Sequence, residues 1–579
     1  MISPSNFYGK SSRFTTLDEV QWHSEIENSR NIVILPPEAG NNAIDSDVED
    51  LPDQLDDDTA FEPAGELEVE GDSDSDTDIE ADPVKNVKKG AYSWKKKSVF
   101  DTEIAHEENF MLADKFPELL LFSPLDLWKL FIPDSLIDEI VVQTKLYGNR
   151  EKNKPDFNVT RSEIFRFIGI LLLSGYHSLP KEQDYWSTQI DLGVPIVSSA
   201  LSSKKFLEIK RMFHIIDNST LSEASSKVTK VEPLYETLNR AFTKYGVFHR
   251  LLSVDESMVP YYGRHSCKMF IRNKPIRFGY KLWALCGNDG FPYHVQIYTG
   301  KSEDKSPLGQ RVVQTMVDVV KTASKPERHE LYCDNFFTSY ELLCNLADQK
   351  MKAIGTVREN RLKGANRAMK TKKDMKKTNR GSFDYRCDGK VFVCQWNDNS
   401  IVNIASNFCT HEPIQNAKRR VKKCSDTSVP QPYLVKKYNE GMGGVDIMDR
   451  LLSSYRPMIR GKKWYFPLIT NAFNMAVVAA WRLHCAVQSK KLSHIDFRRE
   501  ITICLLKMDN RDNNRRKSAV ANLPQDIRTD GVGHKKVSVK QGRCKVCTKN
   551  TCYMCEKCNV RLHVERGKTC FETYHSNSM

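Results

Sequence analysis

The chain has 579 residues, 28% of them charged and 40% hydrophobic, with a formal net charge of +12, which is material for about three or four domains with a sizeable core. No apolar run approaches the roughly 18 residues of a membrane span, and Met1-Ile2-Ser3-Pro4-Ser5-Asn6 lacks the charged-then-apolar order of a secretory signal. A soluble, intracellular protein with no membrane partner is expected, and its sixteen cysteines then read as thiols or metal ligands, not as disulfides.

The charge is unevenly spread. Residues 41–83 carry eighteen Asp and Glu and no Lys or Arg, so the remainder of the chain sums to +30. A body this basic commonly meets a polyanion. The acidic tract is either a solvating tail or a competitor for the basic surface. Residues 1–100 read as disordered, being acid-rich and poor in aromatics. Lys85, Lys88, Lys89, Lys95, Lys96 and Lys97 form a basic cluster that serves nuclear import or is a solvated linker.

From Asp114 to Phe248 the pattern is helical. Thr160-Arg161-Ser162-Glu163 is a capping box opening a helix with Ile164, Phe167, Ile168, Leu171 and Leu172 on its core face. Lys204–Ile216 and Leu234–Tyr245 repeat that spacing. After His249 the pattern changes to strands. Leu251–Asp255 reads as a buried strand ending in an acid, and Phe278–Leu285 and Tyr293–Tyr298 flank a Gly287-Asn288-Asp289-Gly290 hairpin turn. Then follow a helix Leu308–Thr322, a second strand ending in an acid (His329–Asp334), a helix Ser339–Asp348 and a strand Lys352–Val357. The sum is an α/β sheet with acids at strand ends.

Residues 361–380, with nine Lys or Arg and one Asp, interrupt that sheet. Three short β-like runs and the basic cluster Lys418–Lys423 follow, which predicts a basic inserted domain. Apolar residues at Leu434, Val435, Tyr438, Met442, Val445, Met448, Leu451, Leu452 and Tyr455 then have the period of one long helix. Asp446 and Asp449 share one side of it. Gly441, Gly443 and Gly444 weaken it by roughly 1 kcal/mol each, and glycines are kept where backbone or ligand must come close. Helices are expected again at Phe466–Ala486 and Ile495–Leu506.

Asp255, Asp334 and Asp446 are carboxylates placed at strand ends and on a helix face between basic loops. Hard divalent cations prefer oxygen ligands, and two such ions can activate an attacking oxygen and stabilise a leaving one at phosphorus. Arg264, Lys268, Arg272, Lys274 and Arg277 lie just after the first acid and would seat a phosphate backbone. Arg456, Arg460, Lys462 and Lys463 form a second basic run ending at Trp464, whose ring either stacks on an unpaired base or belongs to the core. The tail reads Cys544-x2-Cys547, Cys555-x2-Cys558, His563, Cys570 and His575, a strong zinc pattern. Two Zn²⁺ need eight ligands; Cys552 and His534 compete for the eighth place.

The segments Ser253-Val254-Asp255-Glu256-Ser257-Met258-Val259-Pro260, Asp334-Asn335-Phe336-Phe337-Thr338-Ser339 and Gly443-Gly444-Val445-Asp446 closely resemble the PiggyBac transposases and PiggyBac-element-derived proteins, with Lys274-Pro275-Ile276-Arg277-Phe278-Gly279-Tyr280-Lys281 and Ile459-Arg460-Gly461-Lys462-Lys463-Trp464-Tyr465 extending the match. The resemblance covers about residues 110–575. It implies an RNase H-like DDE/D domain in two parts (249–358 and 431–456) around an insertion (359–430). It also implies a split helical dimerisation and DNA-binding domain (101–248 and 457–510), a linker (511–533) and a cysteine-rich zinc domain (534–579) of cross-brace type that binds element ends or contacts chromatin. Carried over by position, Asp255, Asp334 and Asp446 hold Mg²⁺ or Mn²⁺, with Asp449 as a fourth required acid. The implied activity is cut-and-paste transfer of double-stranded DNA into TTAA targets through hairpin ends, by a nuclear homodimer. The alternative is a domesticated descendant that binds DNA or chromatin without cutting it.

Overall fold

A computed structural model describes residues 93–101, 103–105, 112–222, 224–246, 249–271, 274–300, 304, 306–421, 424–508, 528–564 and 567–576, with three short strands before them. Those strands, β1 (Arg13–Phe14), β2 (Asn31–Ile34) and β3 (Leu67–Glu70), form an antiparallel sheet in the order β1-β3-β2. They depart from the disorder expected of residues 1–100, and the rest of 1–92, with the acidic tract, lies outside the described residues. Residues 93–101 also depart from it. Lys95 and Cys387 exchange both main-chain hydrogen bonds at 3.0 and 2.8 Å, and the Asp101 N–H donates to the Gly389 carbonyl at 2.9 Å. The Trp94 ring meets Tyr340 edge-on at 5.8 Å.

The helical segment begins with α1 (Pro124–Lys129), α2 (Asp134–Leu146), α3 (Arg161–Ser174), α4 (Ser203–Met212) and α5 (Glu232–Gly246). The capping box at α3 is formed: Glu163 N–H donates to Thr160 Oγ1 at 3.2 Å, and Thr160 N–H donates to Glu163 Oε2 at 2.9 Å. Two otherwise orphaned N–H groups are thereby satisfied.

A nine-stranded sheet follows. Its strands are β4 (Leu251–Pro260), β5 (Lys268–Phe270), β6 (Phe278–Gly287) and β7 (Pro292–Ile297). After α6 (Leu308–Ala323) comes β8 (Glu330–Cys333), and after α7 (Tyr340–Asp348) comes β9 (Lys352–Thr356). Strands β10 (Phe383–Cys387), β11 (Phe392–Asn397) and β12 (Ile401–Ser406) complete it. The order is β10-β11-β12-β9-β8-β4-β6-β5, with β7 also on β6. Pairs β4–β8 and β8–β9 are parallel; the other pairs are antiparallel. The inserted segment therefore does not stand apart as a domain with its own sheet. β12 pairs with β9 from Ile404↔Thr356 to Ser406↔Ile354, which continues the main sheet. A separate ribbon, β13 (Gln415–Val421) with β14 (Cys424–Gln431), is the part of 359–430 that forms a sheet of its own.

The long helix expected over 434–455 is two helices, α8 (Tyr433–Gly441) and α9 (Gly444–Ser454). The break lies at the glycines because α9 approaches the sheet closely. A Cβ on Gly444 would sit 2.4 Å from the Gly287 carbonyl oxygen and 2.5 Å from Ser253 Oγ, while one on Gly443 would meet nothing within 4 Å. Gly444→Ala is accordingly expected to cost about 1–3 kcal/mol in urea unfolding, as overpacking does, and Gly443→Ala to be close to neutral.

Two further helices, α10 (Phe466–Val487) and α11 (His494–Leu506), pack against α1, α3 and α5, so the helical core is assembled from segments that precede and follow the sheet in sequence. The tail holds β15 (Lys536–Arg543), β16 (Asn550–Cys555) and β17 (Val560–Arg561), an antiparallel three-stranded sheet, and a short helix, α12 (Cys570–Tyr574). Among the described residues no helix is long and apolar enough to cross a membrane.

Candidate active site and cysteine-rich tail

Strand register brings the first two acids together. β8 runs parallel to β4 with Val254 opposite Cys333. Asp255 and Asp334 are the next residues on each chain, and neighbouring strands lie about 4.8 Å apart. β4 does not end at Asp255, as its sequence suggests. It continues to Pro260 because β6 stays paired with it as far as Pro260↔Gly279.

The third and fourth acids arrive on α9, which docks along one face of β4. Residues 253, 255 and 257 share that face, since strand side chains alternate. Ser253 Oγ accepts the Val445 N–H at 3.2 Å, and Ser257 Oγ donates to Asp449 Oδ1 at 2.5 Å. These two contacts bracket Asp255 and hold Asp446 and Asp449 on its side of the sheet.

The pocket is short of positive charge. Burial, with Glu256 and Asp334 beside it, pushes the Asp255 carboxyl up to about 8 against the pull of Lys274. Burial also raises Asp334, with Glu256 adding to it, against N–H groups of Phe336 and Phe337. Asp449 is pushed up to about 6 by burial, opposed by Ser257, Lys274 and Arg456. Glu256 goes the other way: Lys281 and Lys274 outweigh its burial and hold it low. Lys274 Nζ is 3.0 Å from Glu256 Oε1, and Glu256, Asp255 and Asp446 outweigh its own burial to keep it charged. Acids held above their usual range by burial, and further by their acidic neighbours, are a site that a divalent cation stabilises. The all-oxygen donor set suits Mg²⁺ or Mn²⁺. Among the described residues the acids do not converge into a single shell: the groups of three or more His, Cys, Asp or Glu ligands within 4.8 Å of one another are both in the tail.

Sequence reasoning missed Glu256 and the serine pair, although Ser253-x-Asp255-x-Ser257 has the period of a strand face. The basic residues divide. Arg264, Arg460 and Lys462 are exposed. Arg272 lies outside the described residues. Lys274 is engaged by Glu256, and Arg456 is partly buried in the field of Asp449. Lys268, expected on phosphate, is buried at 2% exposure, and burial beside Arg264 lowers its ammonium to about 8. Lys463 stands over the Tyr147 ring at 4.1 Å, turned into the helical core. Trp464 is a core residue and not a base-stacking platform. It is 2% exposed, its ring stacks on His265 at 4.0 Å, and its carbonyl accepts from Tyr280.

The tail holds two sets of four ligands: Cys544, Cys547, His563 and Cys570, and His534, Cys555, Cys558 and His575. His534 thus completes the second set of four; Cys552 is exposed on β16 and belongs to neither set. The S···N separations fit zinc. Cys547 Sγ to His563 Nδ1 is 3.3 Å, Cys558 Sγ is 3.3 Å from both His534 Nδ1 and His575 Nε2, and Cys555 Sγ to His534 Nδ1 is 3.5 Å. Tetrahedral Zn²⁺ with sulfur at about 2.3 Å and nitrogen at about 2.0 Å sets such pairs roughly 3.5 Å apart. The other nitrogen of each ring has an acceptor: Asp530 Oδ1 for His534 (3.0 Å), the Asn550 carbonyl for His563 (3.0 Å) and the Phe571 carbonyl for His575 (2.7 Å). Metal-bound histidines are oriented in this way. The two sets alternate along the chain, so neither can form without the other half of the tail.

A family described as Transposase IS4 matches residues 123–481. The chain is 35% identical over 496 residues to human PiggyBac transposable element-derived protein 3, covering 83% of this chain and 81% of that protein. It is 34% identical over 463 residues to human PiggyBac transposable element-derived protein 2, covering 78% and 76%. Its fold is similar to that of a piggyBac transposase solved in a synaptic complex with hairpin DNA, with TM-score 0.57 and 21% identity over 76% of this chain and 97% of that one. With a family model over residues 123–481 and relatives 34–35% identical over most of both chains, the chain belongs to the PiggyBac transposase family.

Proposed function

We propose that this protein is a DDE/D DNA transposase that excises an element through hairpin ends and inserts it at TTAA. The observation that carries this reading is the register of β4 and β8, which sets Asp255 beside Asp334, with α9 adding Asp446 and Asp449 through the Ser257 bond. The order β7-β6-β4-β8-β9, antiparallel and then parallel from β4, is what an RNase H-like fold would have and supports the same reading. Asp255, Asp334 and Asp446 would hold Mg²⁺ or Mn²⁺, and Asp449 would stay oriented by Ser257. Bound there, the cation supplies Lewis acidity for in-line displacement at phosphorus. The chain's own part is to position oxygen ligands on β4, just after β8 and on α9, and to seat the duplex, for which exposed Arg264, Arg460 and Lys462 are suited. The zinc tail would bind element ends or chromatin, and the working form would be a nuclear homodimer.

Plasmid excision in cells tests this. Donor repair at a restored TTAA, lost in Asp334→Ala, is expected; DNA binding without excision by the wild type refutes the enzymatic reading. A second reading, a domesticated DNA- or chromatin-binding protein, is favoured by the names of the human relatives, both called element-derived, and the same assay separates the two.

A further inference from the structure

Arg498 on α11 is fully buried, and no carboxylate among the described residues figures in its surroundings. Among the described residues its Nε and Nη1 have no hydrogen-bond partner. Nη2 donates to Asn474 Oδ1 at 2.5 Å, and the Tyr455 ring faces the guanidinium at 5.5 Å. Tyr455 follows the last residue of α9, and its ring is met edge-on by His494 at 4.9 Å. Asn474 on α10 is itself buried, and its Nδ2 donates to the Leu452 carbonyl at 2.9 Å. Leu452 lies in the final turn of α9, where carbonyls have no intrahelical partner. A three-residue relay thus runs from α11 through α10 to the end of the helix that carries Asp446 and Asp449.

Burying a guanidinium without a counter-charge is costly, and an apolar residue of similar volume often gives a more stable protein. Stability therefore gives no reason for arginine here. Geometry does. At its other end α9 is pinned to the sheet by the Val445 N–H to Ser253 Oγ bond and by the close approach of Gly444 to Gly287. Asp446 and Asp449 lie between the two ends. The Ser257 bond to Asp449 adds a second hold in mid-helix. Both bonds are to β4, so without the hold at Leu452 the C-terminal turn of α9 could swing about them and displace the acids relative to Asp255.

We propose that Arg498, acting through Asn474, is a positioning residue that fixes the C-terminal end of α9 and with it the placement of Asp446 and Asp449. This rests on reading those acids as the metal site. Two variants of the full-length, zinc-loaded protein separate positioning from folding. Arg498→Met removes the buried charge at similar volume. Asn474→Asp keeps an acceptor, now charged, for Arg498 but loses the donor to Leu452. Thermal unfolding, hydrogen exchange over residues 448–455 and Mn²⁺ affinity (from the electron paramagnetic resonance signal of the free ion) are measured on each. The expected result is a Tm at or above wild type, with exchange in that segment at least tenfold faster and Mn²⁺ bound at least tenfold more weakly. Wild-type exchange together with wild-type Mn²⁺ affinity in Asn474→Asp overturns the proposal, even if Arg498→Met does not fold. If the wild type binds no Mn²⁺, the metal-site reading fails instead, and the exchange rates decide the relay: tenfold acceleration supports it and unchanged rates overturn it.

Discussion

Asp255→Asn is expected to abolish excision while making the magnesium-free protein more stable, and the two effects have one cause. Asp255 lies on a buried strand face where its carboxyl is pushed up to about 8, against 3.8 for the free side chain. A carboxyl raised in this way is a cost to the folded state once ionised. Below the unfolded value both states hold the proton and there is no penalty. Between 3.8 and about 8 the unfolded chain releases it more readily, so stability falls as pH rises through that window and is lowest above it. Asp449, pushed up to about 6, adds a smaller loss in the lower part of the range. Asn carries no charge and can still accept the Glu256 N–H that Asp255 Oδ1 accepts at 2.8 Å. In magnesium-free, zinc-replete buffer, Asp255→Asn should therefore melt above wild type at pH 8, by about 5 °C or more, with the gap narrowing towards pH 6. Magnesium should raise the wild-type Tm and leave the variant unmoved. Excision by the variant should fall by about 10³-fold or more, some 4 kcal/mol of transition-state stabilisation. A variant that melts with wild type at every pH would show that the pocket is not starved of cations.

His534→Ala is expected to have the second-largest effect, and Cys552→Ser almost none. The tail is short of apolar core; its buried cluster consists largely of the cysteines themselves with Val560, Leu562, Phe571 and Tyr574. Such a segment folds on metal, and structural zinc in small domains contributes roughly 10–16 kcal/mol of apparent binding energy at neutral pH. With eight ligands in two interleaved sets, the wild type should carry two zinc ions per chain by elemental analysis. His534→Ala should drop to one or lose both, because its set spans the whole tail from His534 to His575. Cys552, exposed and outside both sets, can be replaced without changing the count. Two zinc ions retained in His534→Ala would move the eighth ligand back to Cys552.

The acids proposed to hold the metal were legible in the linear chain. Asp255, Asp334 and Asp446 stand in motifs that carry their own local structure: a strand run before Asp255 and before Asp334, and a helical stripe around Asp446. The capping box at Thr160 and the hairpin at Gly287–Gly290 are local in the same sense, being set by interactions among residues a few positions apart. Only the tertiary structure decided what lies far along the chain but near in space. It buried Lys268 and Trp464, turned Lys463 onto Tyr147, joined β12 to β9, and split the acid-bearing helix where Gly444 meets Gly287. It also chose His534 over Cys552. Local propensity acts over a turn or a strand pair, whereas burial and ligand closure depend on which distant surfaces meet, and a linear pattern of cations or cysteines looks the same whether it ends in solvent or in the core.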